Sequence, residues 1–450
     1  MASWSKLAPG LLLPAMLLGG RALADPFIGD AGAAYSTSDG AVINPANAAF
    51  VDRTQIFFEP SLFSQSELDV RYPGFPPTDT TNNGVSAASM SDAPSFIWKP
   101  TPRLGLGGYA LPPGIGANIS KNGIPVILLG QQSYVDLKAA GTLEGAGQVI
   151  AGYRVSDRFG VGLNLTFQSI KLNATLTPQG SSDPLATIAG TQTQTTLTLG
   201  VRLDPLPGRL ALGAAVILVS QSNQNLSVSS PLLGGVGSGS SGSSGSSGTN
   251  GSGRGSGGGL GGASSGSTLP LAGATVGMQV ALGSKIRVLA DGVYTHVDKT
   301  QTGFSLVQLK EETKDVHDTL AVRTGAILRL LDNGNVLVGY RYEPASLGEG
   351  STGPNGQIGF GTQDLVMVET GMQDLTPYQQ FGVGLQLGFS PKVIHPPKGS
   401  NEPVHGYYEW TIETGVVYKQ ASLGIDQNGE LPGAYLYTQT SIPVGILYKF

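Results

Sequence analysis

The chain contains no cysteine. That excludes a disulfide framework, thiolate zinc sites, Cys-ligated iron–sulfur clusters and a Cys nucleophile. Histidine is scarce as well: His296, His317, His395 and His405 are the full set. No two stand at i, i+4, so a helical zinc-protease motif is excluded. Charged residues make up 13% of the 450 positions, against about 25% in an average protein. The formal net charge is −5 and no basic run is present, which argues against nucleic acid, whose phosphates require clustered Lys and Arg. Nor does any run of ~18 apolar residues follow the first two dozen positions, so no membrane helix is predicted. Glycine, by contrast, occurs 67 times, about twice its usual share. With 40% hydrophobic residues the chain is not a disordered tail. No cofactor, metal site or catalytic residue is expected from this inventory.

Residues 1–24 have the composition of an export signal. Lys6 precedes a short apolar stretch, Leu7–Gly20, and Ala22-Leu23-Ala24 forms an A-x-A cleavage site before Asp25-Pro26. The stretch is too short for a stable membrane helix. Cleavage removes two cations, Lys6 and Arg21, and no acid, so the net charge moves from −5 to −7. No Cys follows the cleavage site, so a lipoprotein is excluded.

The rest of the chain alternates. In FGVGLNLTF, Phe159, Val161, Leu163, Leu165 and Phe167 share one face, with Gly160, Gly162, Asn164 and Thr166 on the other. That is the period of a strand. FGVGLQLGF at Phe381–Phe389 repeats it. Leu210, Leu212, Ala214, Val216 and Leu218 also share a face, as do Val336, Val338, Tyr340 and Tyr342, and Tyr408, Trp410, Ile412, Val416 and Tyr418. A soluble sandwich alternates too, but its strands run about 5–6 residues. Several of these reach about 10, the length a tilted strand needs to cross a bilayer. Their second face is Gly, Ala, Thr, Gln and Asn with single arginines, which suits a barrel lumen.

Connection lengths alternate between residues 100 and 380. Short ones are VSDR at 155–158, DPLPGR at 204–209, LGSK at 282–285 and LDNGN at 331–335. Long ones span 111–145, 173–192, 222–268, 298–318 and 346–377. Outer-membrane barrels join strands by short periplasmic turns and long external loops. Strands are predicted near 54–63, 93–100, 102–110, 146–155, 159–172, 193–203, 208–221, 268–282, 284–298, 319–331, 335–344, 378–389, 406–419 and 435–450. The number is fourteen, which returns both ends to the periplasmic side. The chain ends with Ile442, Val444, Ile446, Tyr448 and Phe450 at alternate positions. A terminal Phe on such a strand resembles the recognition signal of outer-membrane barrels, so Tyr448 and Phe450 are assigned to assembly. Residues 233–268, almost pure Gly and Ser, are read as a flexible external loop. Their G-x-S-x-G at 262–266 has no strand before it and no helix after it, so it is not a nucleophile elbow.

Residues 27–50 read FIGDAGAAYSTSDGAVINPANAAF, with Asn44-Pro45-Ala46 near the end. The segment resembles the N-terminal hatch of the FadL-type long-chain fatty acid and hydrocarbon transporters of the outer membrane. Ile150–Gly162, IAGYRVSDRFGVG, looks like that family's strand–turn–strand, and Leu337–Pro344, LVGYRYEP, like its late strand end. The resemblance implies an all-β, transmembrane antiparallel β-barrel of about fourteen strands over 53–450, with a hatch over 25–52 in the lumen. Gly29, Gly32, Gly40, Asn44, Pro45 and Ala46 would belong to that hatch. It also implies passive uptake of a hydrophobic ligand, a fatty acid or hydrocarbon, from an outer groove through a deeper pocket and a gap in the wall. Further partners implied are outer-membrane lipid and lipopolysaccharide, and the barrel-assembly machinery.

Alternation places Arg154, Arg202, Arg287, Asp291, Arg323, Arg329, Arg341, Glu409 and Glu413 opposite the apolar stripes, hence inward. Buried charges need partners. They can pair with one another and with hatch acids such as Asp30 and Asp39, or one or two arginines can hold a substrate carboxylate. A non-specific porin or structural barrel is the main alternative. An outer-membrane esterase or phospholipase is remote, because His296 falls on a lipid-facing stripe and the other histidines lie in or beside loops. A protease site inserted within 240–260 is expected to be cleaved on intact cells; cleavage only after lysis would invert this topology.

Overall fold

The computed structural model describes residues 26–28, 31–71, 78–80, 89–90, 95–111, 116–128, 131–229, 263–296, 302–305, 310–313, 317–344, 378–394, 405–425 and 433–450. The signal segment, Gly29, Asp30 and the Gly/Ser tract as far as residue 262 lie outside the described residues.

Among the described residues, fourteen antiparallel strands form one closed wall. β1 runs Gln55–Phe58 and resumes at Pro60–Arg71; then follow β2 Ser95–Thr101, β3 Leu104–Leu111, β4 Gln131–Ser156, β5 Phe159–Pro178, β6 Ala186–Leu206 and β7 Leu210–Ser229. The remainder are β8 Ala263–Leu282, β9 Ile286–Thr295, β10 Thr319–Leu331, β11 Gly334–Glu343, β12 Tyr378–Ile394, β13 His405–Ile425 and β14 Gly433–Lys449. Each pairs with its sequence neighbours, and β14 closes on β1 with Gln55 opposite Lys449 and Phe58 opposite Ile446. The Phe450 N–H donates to Thr54 O at 3.0 Å across the same seam. Short strands Thr78–Thr80 and Ser89–Met90 pair with β1, and Gly116–Leu128 pairs with β4. A separate hairpin joins Thr302–Ser305 to Lys310–Thr313.

The outward face is apolar and uncovered. Leu163 and Leu165 are 49% and 50% exposed, and Val383 and Leu385 are each 56% exposed. Their inward neighbours Gly162, Asn164, Gly382 and Gly384 are buried. A protein in water does not leave so continuous an apolar belt exposed; hydrocarbon is the solvent that this face fits. Among the described residues no helix is long and apolar enough to cross a membrane.

Two expectations need correction. Several predicted loops are strand: β4 has 26 residues and β5 to β8 have 20 or 21 each, about twice what a bilayer crossing needs. Residues 263–268, expected in the Gly/Ser loop, pair with β7, Ala263 lying opposite Leu226. The ladder simply continues past the membrane, where Thr, Gln and Ser keep backbone pairing without the apolar alternation that marks a lipid-facing strand. Leu218 also leaves its predicted stripe. Both ladders skip it at a bulge, with Leu197 opposite Val219 and Thr198 opposite Ile217. A bulge shifts the alternation by one residue, so Val219 takes the exposed place.

Leu165→Arg, on the lipid-facing band, is expected to destabilise the folded barrel by about 2–4 kcal/mol, read as a lower urea midpoint for loss of heat-modifiable gel migration. An unchanged midpoint would place this face outside the hydrocarbon.

Candidate functional site

The interior is occupied by chain from the N-terminal side of β1. A 3-10 turn at Pro26–Ile28 packs on β10 to β13. A short helix, α1 Ser38–Ile43, packs on β1 and β2, and a second 3-10 turn at Pro45–Ala49 packs on β3 to β6. The segment thus touches the wall on several sides, and Ala31, Ala33, Ala41, Ala46, Ala48 and Ala49 are buried. It approaches so closely that side chains are missing from the wall. A Cβ on Gly152 would sit 2.7 Å from Pro45 O, and one on Gly384 2.7 Å from the Phe27 ring. On Gly162, Gly200 and Gly213 it would collide with Pro45, with Asn44 Oδ1 and with Ala33 O.

Asn44 ends α1 and starts the second 3-10 turn. Its Oδ1 accepts from Ala46 N–H at 3.1 Å, and its Nδ2 donates to Ala33 O at 2.7 Å and to Val201 O on β6 at 2.9 Å. Pro45 follows at the first position of the turn, where a missing N–H costs nothing. Gly40 lies in α1, where a Cβ would meet the Tyr35 carbonyl. Gly32 N–H and Ala33 N–H both donate to Asp291 Oδ2 on β9, at 2.7 and 2.8 Å. Charge-assisted bonds of this kind are shorter and stronger than neutral ones.

The predicted inward charges divide into two groups. Arg202, Asp291, Arg323, Arg341 and Glu413 are buried. Arg323 and Arg341 share Glu343, Arg323 at 3.2 Å and the Arg341 Nε at 2.9 Å. Arg202 donates to Asp204 at 2.8 Å and to Asn47 Oδ1 at 3.0 Å. Glu413 accepts from Gln386 at 3.0 Å, and Gln386 accepts from Asn335 at 2.7 Å. Arg154 and Arg202 flank the Phe50 ring, each 4.6 Å from its centre. Arg287, Arg329 and Glu409 keep the inward parity of their strands but are not enclosed. Arg287 and Arg329 are exposed, Arg329 lying 3.7 Å from Asp332, and Glu409 lies 3.3 Å from Lys392. They stand close to strand ends, where the inward face already meets water. The Tyr448 hydroxyl donates to Glu409 at 3.2 Å, and its ring lies 4.2 Å from Trp410 and 5.3 Å from Phe450.

Comparison with solved structures gives close agreement in architecture. A FadL homologue of Pseudomonas aeruginosa aligns with a TM-score of 0.54 at 12% identity, covering 98% of each chain. The Pseudomonas putida toluene transporter TodX aligns at 0.55 and 14% identity, covering 96% of this chain and 99% of that one. The chain has the fold of the FadL-type channels. It is an integral outer-membrane barrel, as its uncovered apolar belt requires. No family model and no curated protein sequence matches the chain.

Several of the barrel's interior residues escaped the sequence reading. Asn47 donates to Gly32 O and Gly40 O, each at 2.9 Å, and Asp204 and Glu343 neutralise the arginines. Asn47 follows Asn44 by three positions, a visible but unread signal. Asp204 and Glu343 sit two residues after Arg202 and Arg341 and so on the same face. Asp30 lies outside the described residues. Among the described residues, an acid that holds the N-terminal segment is Asp291, on the wall.

Two further features concern passage. β5 runs through its pairing with β6 without a register break, yet its polarity inverts. Through Phe167 the outward residues are apolar; beyond it Lys171 and Asn173 are exposed and the inward Ala174 and Leu176 are buried. Val135 on β4 is buried beside them. The second feature is a backbone irregularity on β3, at the edge of the described part of its ladder with β2. Among the described residues its last pair is Phe96 with Gly108, whereas β3 goes on pairing with β4 as far as Leu111 with Ala146. Gly108 has φ +144, a conformation that L side chains rarely adopt.

Gly162→Val is expected to push Asn44–Ala48 off the wall, because the added side chain meets Pro45 backbone. The readout is new protease cleavage between residues 31 and 50 in a barrel that keeps its heat-modifiable migration. Unaltered protection would show that the segment yields elsewhere.

Proposed function

We propose that this protein is a passive outer-membrane channel for uptake of hydrophobic compounds such as long-chain fatty acids or aromatic hydrocarbons, and not an enzyme. In this reading residues 1–24 are removed on export, 25–52 are the plug and 53–450 the channel wall. Gly29, Gly32, Gly40, Asn44, Pro45 and Ala46 shape the plug, and Tyr448 and Phe450 guide the barrel-assembly machinery. Outer-membrane lipid and lipopolysaccharide surround the belt.

The observation that carries the reading is the polarity inversion on β5. Beyond the lipid-facing band the strand turns polar on its outside and apolar on its inside. An apolar face turned toward the axis above the membrane is where a greasy molecule leaves water. Below it the plug closes the axial route, and the irregular backbone at Gly108 on β3, φ +144, marks a sideways one through the wall. The similarity in fold to TodX, a toluene transporter, supports the same conclusion. A non-specific porin fits poorly, since its lumen is a polar water-filled channel.

Radiolabelled fatty acid or toluene should accumulate faster in cells carrying the protein than in cells without it. Equal uptake would overturn the proposal. Deleting 27–46 should leave a folded barrel with raised conductance in planar bilayers and without selective uptake. Unchanged conductance would remove the plug from the mechanism.

A further inference from the structure

Above α1 the inner face of β2 to β5 is neutral, poorly satisfied and floored by apolar side chains. Gln148 is 5% exposed. Its Nε2 donates to Thr166 Oγ1 at 3.4 Å, Thr166 Oγ1 donates to Asn164 Oδ1 at 3.4 Å, and Asn164 Nδ2 donates to Val42 O at 3.4 Å. These separations lie well beyond the usual ~2.7–3.0 Å of protein hydrogen bonds. Gln148 Oε1 has no hydrogen-bond partner among the described residues, and neither has Ser95 Oγ, although Ser95 is also 5% exposed. Register brings them to one level. Gln148 lies opposite Tyr109 on one side and Thr166 on the other, and Ser95 lies one residue beyond the last β2–β3 pair. Val42, Ile97 and Ile150, in one buried apolar cluster, lie beneath.

Buried polar atoms without partners are costly, and a native structure keeps few of them. Resting on the channel reading above, we propose that Gln148 and Ser95 form a binding site for the hydroxyl group of an alkyl or aryl alcohol passing the plug. A hydroxyl both donates and accepts: it donates to Gln148 Oε1 and accepts from Ser95 Oγ. A carboxylate only accepts, so it leaves Gln148 Oε1 without a donor. Nearby charge points the same way. Along the register the nearest charged residues above this level are two acids, Glu59, two positions beyond the Phe57 that pairs with Ser95, and Glu144, four before Gln148; Lys138 and Lys171 lie further along β4 and β5 with exposed side chains. The cations below this level are engaged with the N-terminal segment: Lys99 donates to Ala49 O at 2.8 Å, and Arg154 lies over Phe50. The site therefore selects an uncharged amphiphile, with the hydrocarbon body in the apolar region above.

The full-length mature protein in lipid nanodiscs would be loaded with an apolar naphthylamine dye. Displacement would then be measured with decanol, with decane and with decanoate at about pH 8, where the acid is ionised, after subtracting empty nanodiscs. Decanol is expected to displace the dye at about tenfold lower concentration than decanoate. Gln148→Leu, which retains bulk and removes the acceptor, is expected to weaken decanol about fivefold and leave decane unchanged. Decanoate matching decanol in the unaltered protein would overturn the inference without any variant. So would Gln148→Leu weakening decanol and decane equally. In both cases the channel reading would survive, because decane still binds. Failure of all three to displace the dye would sink both.

Discussion

A ring of fourteen strands encloses more space than its own inward side chains fill. Barrels of about eight strands pack their interiors, and those of sixteen or more hold a water channel. Here the space is taken by backbone. Pro45, Ala33 and Ala48 come so near the wall that Gly162, Gly213 and Gly105 leave no room for a side chain. Every other feature of the interior depends on that approach. The inner face must be small where the segment touches it, and the outer face must supply the hydrophobicity that a soluble core would have placed inside.

Backbone packed against backbone exposes a second constraint. Peptide groups buried away from water must be hydrogen-bonded, and six residues of helix plus two single turns satisfy few of them internally. Others are met by side chains: Asp291 for two N–H groups, Asn47 and Asn44 for the Gly32, Ala33 and Gly40 carbonyls, and Lys99 for Ala49 O. This accounts for polar residues deep in a membrane barrel better than ligand binding alone. Arg323 and Arg341 already share Glu343, so a carboxylate arriving there would have to displace a wall residue.

The wall was legible from sequence because hydrocarbon imposes strict alternation, and strands such as Phe381–Phe389 obey it without exception. Legibility ended where the solvent changed. β4 and β5 continue well beyond the membrane, but Lys171, Asn173, Ala174 and Leu176 carry the alternation with inverted polarity, so a search for outward apolar residues reads them as loop. Leu218 was misplaced for another reason: a bulge leaves no mark in composition. The interior was half legible. Alternation found Arg202, Arg323 and Arg341, whereas Asp204 fell just past the predicted end of its strand and Glu343 one residue before the end of its own, and neither was weighed as a partner. No periodicity predicts which peptide groups of an irregular segment will face Asp291.

The interior that results is lopsided. Between β9 and β13 the segment and wall are bound by the Asp291 carboxyl, paired arginines and the buried Phe27, Ile28, Leu289 and Leu337. Over β2 to β5 the same segment is held chiefly by packing: Lys99 donates to Ala49 O at 2.8 Å, Val42, Ala48 and Val51 share one apolar cluster with Ile97 and Ile150, and Gly105, Gly152 and Gly162 leave no room for a side chain. The polar residues above it are joined only loosely, Asn164 reaching Val42 O at 3.4 Å and Gln148 reaching Thr166 at 3.4 Å. Directional bonds on one side fix where the segment sits, and close backbone packing on the other fixes how deep, so neither the acid of β9 nor the glycines of β3 to β5 could be exchanged for larger apolar residues without moving it.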